Sequence, residues 1–463
     1  MSSLQFINDL HNYAPEKVSI LGAAKSGIAA ARYFINRKSK VFISDSCSKQ
    51  VLEKKLSDAG LAEIESEADG HSENVLDCDL IIVSPGVRSD HPLLTEARRR
   101  KIVVWSELEL GYRASYATFV AVTGSTGKST TVSLLGKAMS CGGKNAVVAG
   151  NIGLPVITIS PSLKPGDHIV AEVSSFQLEI IDRFRPKVSA ILNLMKNHLD
   201  RYSCEDDYYA AKKNIIKNQN NSDYLVLNAN DPKLLEWSKE IQGSVRIVWF
   251  GKKFGDDCFF IEGEYLKYSF DGKSGVLLNY KDMKLKGEHN YQNACAAAAI
   301  SFIAGASDEG IREGICSFEG LAHRLEFVGE INSVSYYNDS KATTAESICC
   351  AVSAFQKKVH LIAGGKDKGC DFDSAKECIA RHVKSVTLIG EASGRIKSAW
   401  GDLVPVTLAK SLNEAVDVAT DHASAGEVVV FSPGCSSFDM FRNFEERGNL
   451  FKSCVKQKKR NYP

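Results

Sequence analysis

Residues 119–131 read FVAVTGSTGKSTT, an apolar, β-branched run that breaks into a glycine-bounded loop ending in Gly127, Lys128 and Ser129. Those residue types in that order suit a nucleotide triphosphate. Backbone N–H groups from Gly124 through Ser125, Thr126 and Gly127 to Thr130 point inward at phosphate oxygens. Lys128 neutralises the phosphates, the Ser129 hydroxyl can ligate Mg²⁺, and the helix that follows adds its N-terminal dipole. The general pattern has a glycine where this chain has Val122, so Gly124 alone precedes the Gly-Lys pair.

Further along, HIVAEVSSFQLE sets Glu172 near the end of a strand, followed by Ser174 and Gln177. A carboxylate there can ligate Mg²⁺ held by the phosphate loop, although such a glutamate read alone is more often a helix cap or surface residue. Its weight comes from company. ILNLMKNHLDRY supplies His198, Asp200 and Arg201 after another strand, and the helix YYAAKKNII supplies Lys212, with Lys213 beside it. GEHNYQNACAAAA places Asn290 and Asn293 on one helical face, where they can donate to and accept from a purine ring.

Two other clusters lie outside this central stretch. Gly22 to Gly27, including Ser26, follow the first strand, and Asp45 ends the second. This is a dinucleotide fingerprint with Ala24 in place of its middle glycine, which hinders close approach of a pyrophosphate and argues against NAD. The loop still offers N–H groups to a diphosphate, and Asp45 can accept from a sugar or base; Ser84, Pro85 and Gly86 follow a strand at the same sheet edge. The last third carries Arg324, then Asp339, Lys341 and Thr343, then Lys368 in a glycine loop, then Ser437, Phe438 and Phe444. Together they make a basic, hydroxyl-rich lobe suited to a carboxylated small molecule.

Elements able to hold these groups recur. Three times an apolar run leads into a glycine loop (VSILGAAKSG, FVAVTGSTGKS, VHLIAGGKDKG), each opening a parallel α/β unit with ligands at the carboxyl ends of its strands. Helical stretches at 28–36 and 129–140 follow the first two loops. The joins between domains are expected near 105–112 and near Gly320, and alternation over 250–286 predicts a small antiparallel patch in the middle domain. A chain of 463 residues exceeds a single core. Its 57 Lys and Arg balance 56 Asp and Glu, which gives no electrostatic reason to propose nucleic acid or an anionic membrane as partner. There is no leader-like start and no long apolar run, and the 13 cysteines are scattered without a CxxC pair, so reduced thiols in the cytoplasm are expected.

With GSTGKS, EVSSFQLE, NHLDRY, GEHNYQN, HRLE, NDSKATT, GGKDKG and SFDMFRNFEERG in this order, the chain resembles a Mur ligase over nearly its full length, most like the branch that adds D-glutamate. The short phosphate loop is that family's own form. The resemblance implies an α/β fold of three domains: a Rossmann-like UDP-sugar domain at 1–106, a central P-loop ATPase domain at 107–320 and a Rossmann-like amino-acid domain at 321–463. It implies ATP-dependent amide formation between UDP-N-acetylmuramoyl-L-alanine and D-glutamate by a monomer. Carried over position by position, Lys128 and Ser129 hold phosphates and a first Mg²⁺ with Glu172. His198 and Lys212, the latter carbamylated, match a second Mg²⁺ site. Asn293, Arg324, Asp339 and Lys341 match ATP contacts. Ser26, Asp45, Ser84, Pro85, Gly86, Asn151, Ser174 and Gln177 match the UDP-sugar site, and Thr343, Lys368, Ser437 and Phe444 the D-glutamate pocket. Phe438 stands where a smaller apolar residue is frequent in the family.

Overall fold

Apolar runs too short to form helices, separated by helical stretches, give this chain its parallel sheets. The computed structural model describes residues 5–195, 201–355, 357–367 and 369–461. It contains two compact units, Met1–Phe318 and Glu319–Pro463.

The first unit begins with five parallel strands, β1 (Lys17–Leu21), β2 (Lys40–Ser44), β3 (Glu65–Glu67), β4 (Leu80–Val83) and β5 (Val103–Ser106), in the order β3-β2-β1-β4-β5. Helices on both faces bury β4 along its whole length, as its unbroken apolar run requires. Strand order reverses between β1 and β4, so the loops after Leu21 and Val83 border one crevice. Residues 105–112, where a join was expected, form a packed connector. Ser106 caps the helix Glu107–Arg113 by accepting the Glu109 N–H at 3.2 Å. The buried Glu109 carboxylate accepts the N–H groups of Asp182, Arg183 and Phe184, each at 2.9 Å.

A nine-stranded sheet follows: β6 (Thr118–Thr123), β7 (Ala146–Gly150), β8 (His168–Glu172), β9 (Val188–Ile191), β10 (Tyr224–Asn228), β11 (Arg246–Gly251), β12 (Cys258–Glu262), β13 (Tyr265–Phe270) and β14 (Lys273–Asn279). Its order is β14-β13-β12-β11-β10-β9-β6-β8-β7, which puts β6 between β8 and β9. Only the β12–β13 and β13–β14 pairings in this sheet are antiparallel, so the expected antiparallel patch is a meander of β12, β13 and β14 extending the edge of the main sheet. The helix Lys128–Cys141 packs against Glu288–Ile303, whose Ala294 and Ala296–Ala299 are fully buried. Small side chains there let the two backbones approach closely.

The second unit holds β15 (Glu326–Ile331), β16 (Val334–Asn338), β17 (Val359–Gly364), β18 (Val383–Ile389), β19 (Val406–Leu408) and β20 (Val428–Phe431), in the order β15-β16-β20-β17-β18-β19. It is parallel except for the β15–β16 pair. No disulfide joins any of the cysteines among the described residues. Among the described residues no helix is long and apolar enough to cross a membrane.

Candidate active site

The phosphate loop leaves β6 through Gly124 at φ +150° and enters its helix through Gly127 at φ +82°, a left-handed conformation that favours glycine. A Cβ on Gly127 would lie 2.5 Å from Asn293 Oδ1. The Asn293 amide oxygen also accepts from the Thr131 hydroxyl at 3.3 Å, so Asn293 stands against the loop's helical end. Asn290, its expected companion, accepts from Asn293 Nδ2 at 3.5 Å and donates to the Lys286 carbonyl at 2.8 Å. Lys128 arches back over the loop, donating to the carbonyls of Gly124 at 2.9 Å and Ser125 at 3.2 Å. Ser129 and Thr130 sit buried in the helix's first turn.

The loop's other side is held by a residue to which the sequence assigned no role. Asn193, just past β9, accepts the N–H groups of Ser125 at 3.0 Å and Thr126 at 2.9 Å, and returns a bond to the Thr126 carbonyl at 3.2 Å. Ser125 completes the brace: its hydroxyl donates to the Met195 carbonyl and accepts the Met195 N–H, both at 2.9 Å. An amide directly after an apolar strand, inside a motif already singled out, was the available signal.

Register brings the chemistry to this loop. In the β6–β8 pairing Glu172 lies across from Val122, and in β7–β8 it lies across from Gly150. Glu172 is 2% exposed; its Oε1 accepts from Asn151 Nδ2 at 2.7 Å, while Oε2 is buried with no hydrogen-bond partner among the described residues. A desolvated carboxylate oxygen left unpaired is costly. Beside a phosphate loop with the Ser129 hydroxyl, it is a hard oxygen donor of the kind Mg²⁺ takes. Lys212, in the helix Glu205–Lys213, is 1% exposed and donates to the Gly124 carbonyl at 2.9 Å. Burial, with the nearby Lys128 charge adding, pushes its amine down to about 6, so at neutral pH it is an uncharged nucleophile. Lys213 turns away, its ammonium 5.2 Å from the centre of the Trp237 ring. His198, Asp200 and Lys368 lie outside the described residues. Among the described residues no three His, Cys, Asp or Glu side chains gather as a metal cluster.

At the crevice of the first sheet the polar side chains brace the loops. Asp45 accepts the Ala23 N–H at 2.6 Å and the Cys47 N–H at 2.8 Å, and the Ser84 hydroxyl donates to the Gly22 carbonyl at 2.8 Å. Ser26 occupies the first turn of the helix Lys25–Asn36. Gly86 is exposed within the 84–87 turn, closed by the Val87 N–H on the Ser84 carbonyl at 3.0 Å, with half-buried Pro85 beside it. Ser174 and Gln177 form a reciprocal capping box at the start of the helix Ser175–Leu178.

Comparison with known proteins finds matches along most of the chain. The Mur ligase middle domain matches residues 122–301, the Mur ligase glutamate ligase domain 323–435 and the MurD N-terminal domain 17–93. A UDP-N-acetylmuramoylalanine–D-glutamate ligase of Acidobacterium capsulatum is 40% identical over 95% of this chain and 96% of its own length. The chain belongs to the Mur ligase family. A ligase of the same description from Thermoanaerobacter pseudethanolicus is 38% identical over 96% of this chain and 99% of its own. The solved MurC of Thermotoga maritima, 20% identical with a TM-score of 0.57 over 96% of this chain and 99% of its own, shares the fold.

In the second unit of this Mur ligase, Asp339 follows β16 and is 7% exposed. It accepts from the Ser432 hydroxyl at 2.8 Å and the Leu325 N–H at 3.2 Å, and burial raises its carboxyl to about 6. The Lys341 N–H donates to the His323 carbonyl at 3.1 Å, which ties that loop to the turn carrying Arg324. Ser437 is buried, Thr343 is exposed and Phe444 is half-buried with its carbonyl accepting from Ser340 at 2.8 Å. Arg447, another residue without an assigned role, is 1% exposed and donates to the carbonyls of Ser340 at 2.9 Å and Cys435 at 3.0 Å. It braces the loops that carry Asp339 and Ser437.

Proposed function

We propose that this Mur ligase uses ATP to join D-glutamate to UDP-N-acetylmuramoyl-L-alanine in peptidoglycan precursor synthesis, as a cytoplasmic monomer whose domains span 1–106, 107–320 and 321–463. The observation that carries the mechanism is the meeting, at one sheet edge, of the phosphate loop, a buried Glu172 oxygen without a hydrogen-bond partner among the described residues and a buried Lys212 bonded to the loop's Gly124 carbonyl. Membership of the family and the named relatives support the choice of substrates.

A carboxylate is a poor acyl donor until one oxygen leaves as phosphate. In the proposed reaction the L-alanyl carboxylate attacks the γ-phosphorus of ATP, ADP departs and an acyl phosphate forms. The amine of D-glutamate then adds to the carbonyl carbon, loses a proton, and the tetrahedral intermediate expels phosphate to leave the amide. Positioning and charge stabilisation dominate both steps. The Ser125 and Thr126 N–H groups, expected to face phosphate, are taken up by Asn193, which holds the loop in shape; the remaining loop N–H groups, with Lys128, hold the β- and γ-phosphates. Ser129 and Glu172 would hold a first Mg²⁺, and His198 with Lys212 as its carbamate a second; bound there, such ions would supply positive charge to the transferring phosphoryl group. Carbamylation needs a neutral amine and turns it into an anionic oxygen donor, which reconciles Lys212 with a metal site. Asn293 meets adenine, and Arg324, Asp339 and Lys341 reach ATP. Ser26, Asp45, Ser84, Pro85 and Gly86 frame the uridine end, and Asn151, Ser174 and Gln177 the muramoyl end. Thr343, Lys368, Ser437 and Phe444 take the D-glutamate carboxylates.

The test is amino-acid-dependent phosphate release from ATP, Mg²⁺ and UDP-N-acetylmuramoyl-L-alanine. D-glutamate is expected to trigger it, with L-lysine and diaminopimelate inert. Release with either of those but not with D-glutamate overturns the specificity. Nucleotide binding without release under any amino acid favours a binding protein over a ligase.

A further inference from the structure

Arg201 belongs to a motif singled out for its neighbours, yet its own contacts reach farther than theirs. Its Nη1 donates to the Pro85 carbonyl at 2.8 Å and its Nη2 to the Val87 carbonyl at 3.1 Å, both within the 84–87 turn at the first sheet's crevice. The same guanidinium grips Glu179 through Nη2 at 2.8 Å and Nε at 3.3 Å, and lies 4.1 Å from the centre of the Phe176 ring. Tyr202 adds its hydroxyl to Glu179 at 2.5 Å. The contact also runs in reverse: Arg88, forked on Asp90 at 2.9 Å, donates to the Arg201 carbonyl at 2.9 Å.

Phe176 and Glu179 lie in and just after the helix Ser175–Leu178, which starts three residues beyond Glu172. One side chain therefore joins the turn of the first sheet to the element continuing from the central sheet's buried carboxylate. The Arg201 and Glu179 side chains are only 11% and 10% exposed, so their pairing is weakly screened, and ring stacking fixes the guanidinium plane. A planar fork spanning two carbonyls of one turn and a carboxylate is specific to arginine; a lysine ammonium has neither the reach nor the fixed geometry. The turn, the guanidinium, Glu179 and the Phe176 helix are thereby held in one continuous chain of contacts.

We infer that Arg201 is a positioning residue that couples nucleotide-sugar binding at the 84–87 turn to Mg·ATP binding at the Glu172 end of the central sheet. This rests on the ligase reading for the identity of the two ligands. Thermodynamic linkage makes such coupling reciprocal: each ligand tightens the other by the same factor.

Calorimetry on the full-length protein tests it, with UDP-N-acetylmuramoyl-L-alanine titrated with and without Mg²⁺ and a non-hydrolysable ATP analogue, and the reverse. Wild type is expected to show at least about fivefold mutual tightening, the lower end of ordinary coupling. Arg201→Lys, which keeps the charge but not the fork, and Glu179→Gln, which keeps the shape but not the charge, are expected to bring that factor below about twofold while each ligand alone still binds. In steady state, the KM for the nucleotide sugar rises while the KM for ATP measured without saturating sugar stays unchanged. Wild type that binds and turns over both substrates without mutual tightening overturns the inference and leaves the ligase reading standing. So do folded variants that keep the factor, or that weaken each ligand measured alone. Wild type that fails to bind the nucleotide sugar overturns both.

Discussion

Replacing Lys212 with alanine tests the chemistry at the centre of the site. An ordinary lysine, titrating near 10.5, is about 0.1% neutral at pH 7.5, whereas one titrating near 6 is about 97% neutral, so burial enriches the reactive amine about a thousandfold. That amine is what carbon dioxide attacks. In ¹³C-bicarbonate, wild type is expected to show a carbamate resonance that Lys212→Ala lacks. The variant is expected to lose at least about a hundredfold in kcat, since a ligand to the phosphoryl-stabilising charge is gone. A short-chain carboxylic acid filling the space restores part of the rate. Stability gives a second reading. The folded pKa lies below the unfolded one, so folding releases a proton between pH 6 and 10.5, and stability from this group rises with pH across that window and is lost as pH falls through 6. In carbon-dioxide-free buffer, wild type should gain on Lys212→Met by up to about 1.4 kcal/mol per pH unit between pH 6.5 and 8.5, read by denaturant unfolding. Full activity in Lys212→Ala, or parallel stability lines for wild type and Lys212→Met, would refute the reasoning.

The loop and the second unit give further expectations. Asn193→Ala removes the side-chain acceptor of the Ser125 and Thr126 N–H groups, leaving Ser125 its 3.1 Å bond to the backbone carbonyl of residue 193, and a loss of about 1–3 kcal/mol in loop ordering should raise the KM for ATP roughly five- to 150-fold; an unaltered KM rejects its bracing role. Gly127→Ala combines an unfavourable φ of +82° with a Cβ 2.5 Å from Asn293 Oδ1, and should abolish detectable nucleotide binding by calorimetry in a folded protein. Wild-type affinity there contradicts the close approach of Asn293. Asp339 has its folded pKa raised to about 6 from 3.8, so the native state binds the extra proton between those values and stability from this group falls as pH rises through that window. Asp339→Asn should therefore overtake wild type in stability as pH goes from 4 to 6, by at most about 1.4 kcal/mol per unit, and keep its lead above pH 6. Identical pH profiles for the two proteins reject the burial argument.

Much of this molecule is written in contiguous residues. The strand–loop–helix run through Gly124 and Lys128 declares a phosphate site because its causes are local: β-branched residues favour the strand, glycines allow positive φ, and the loop's N–H groups face whatever it encloses. Glu172 and Lys212 could be nominated because motifs stood around them, but the grounds for their chemistry came from packing. The unpartnered Glu172 oxygen depends on β8 lying between β6 and β7, and the neutral Lys212 on a helix burying it beside Lys128. Asn193 braces a loop 67 and 68 positions away, Arg201 grips a turn more than a hundred away, and Arg447 joins loops by bonds up to 107 residues long. The predicted antiparallel patch was present as alternation, yet its place on the edge of the main sheet was set by pairing β12 with β11. Sequence alone determined which local conformations and which chemical groups this chain has, because those follow from neighbours a few residues apart. The tertiary structure decided which groups are desolvated, which are paired and which remain without a partner, because burial and long-range hydrogen bonds exist only once the strands have taken their order.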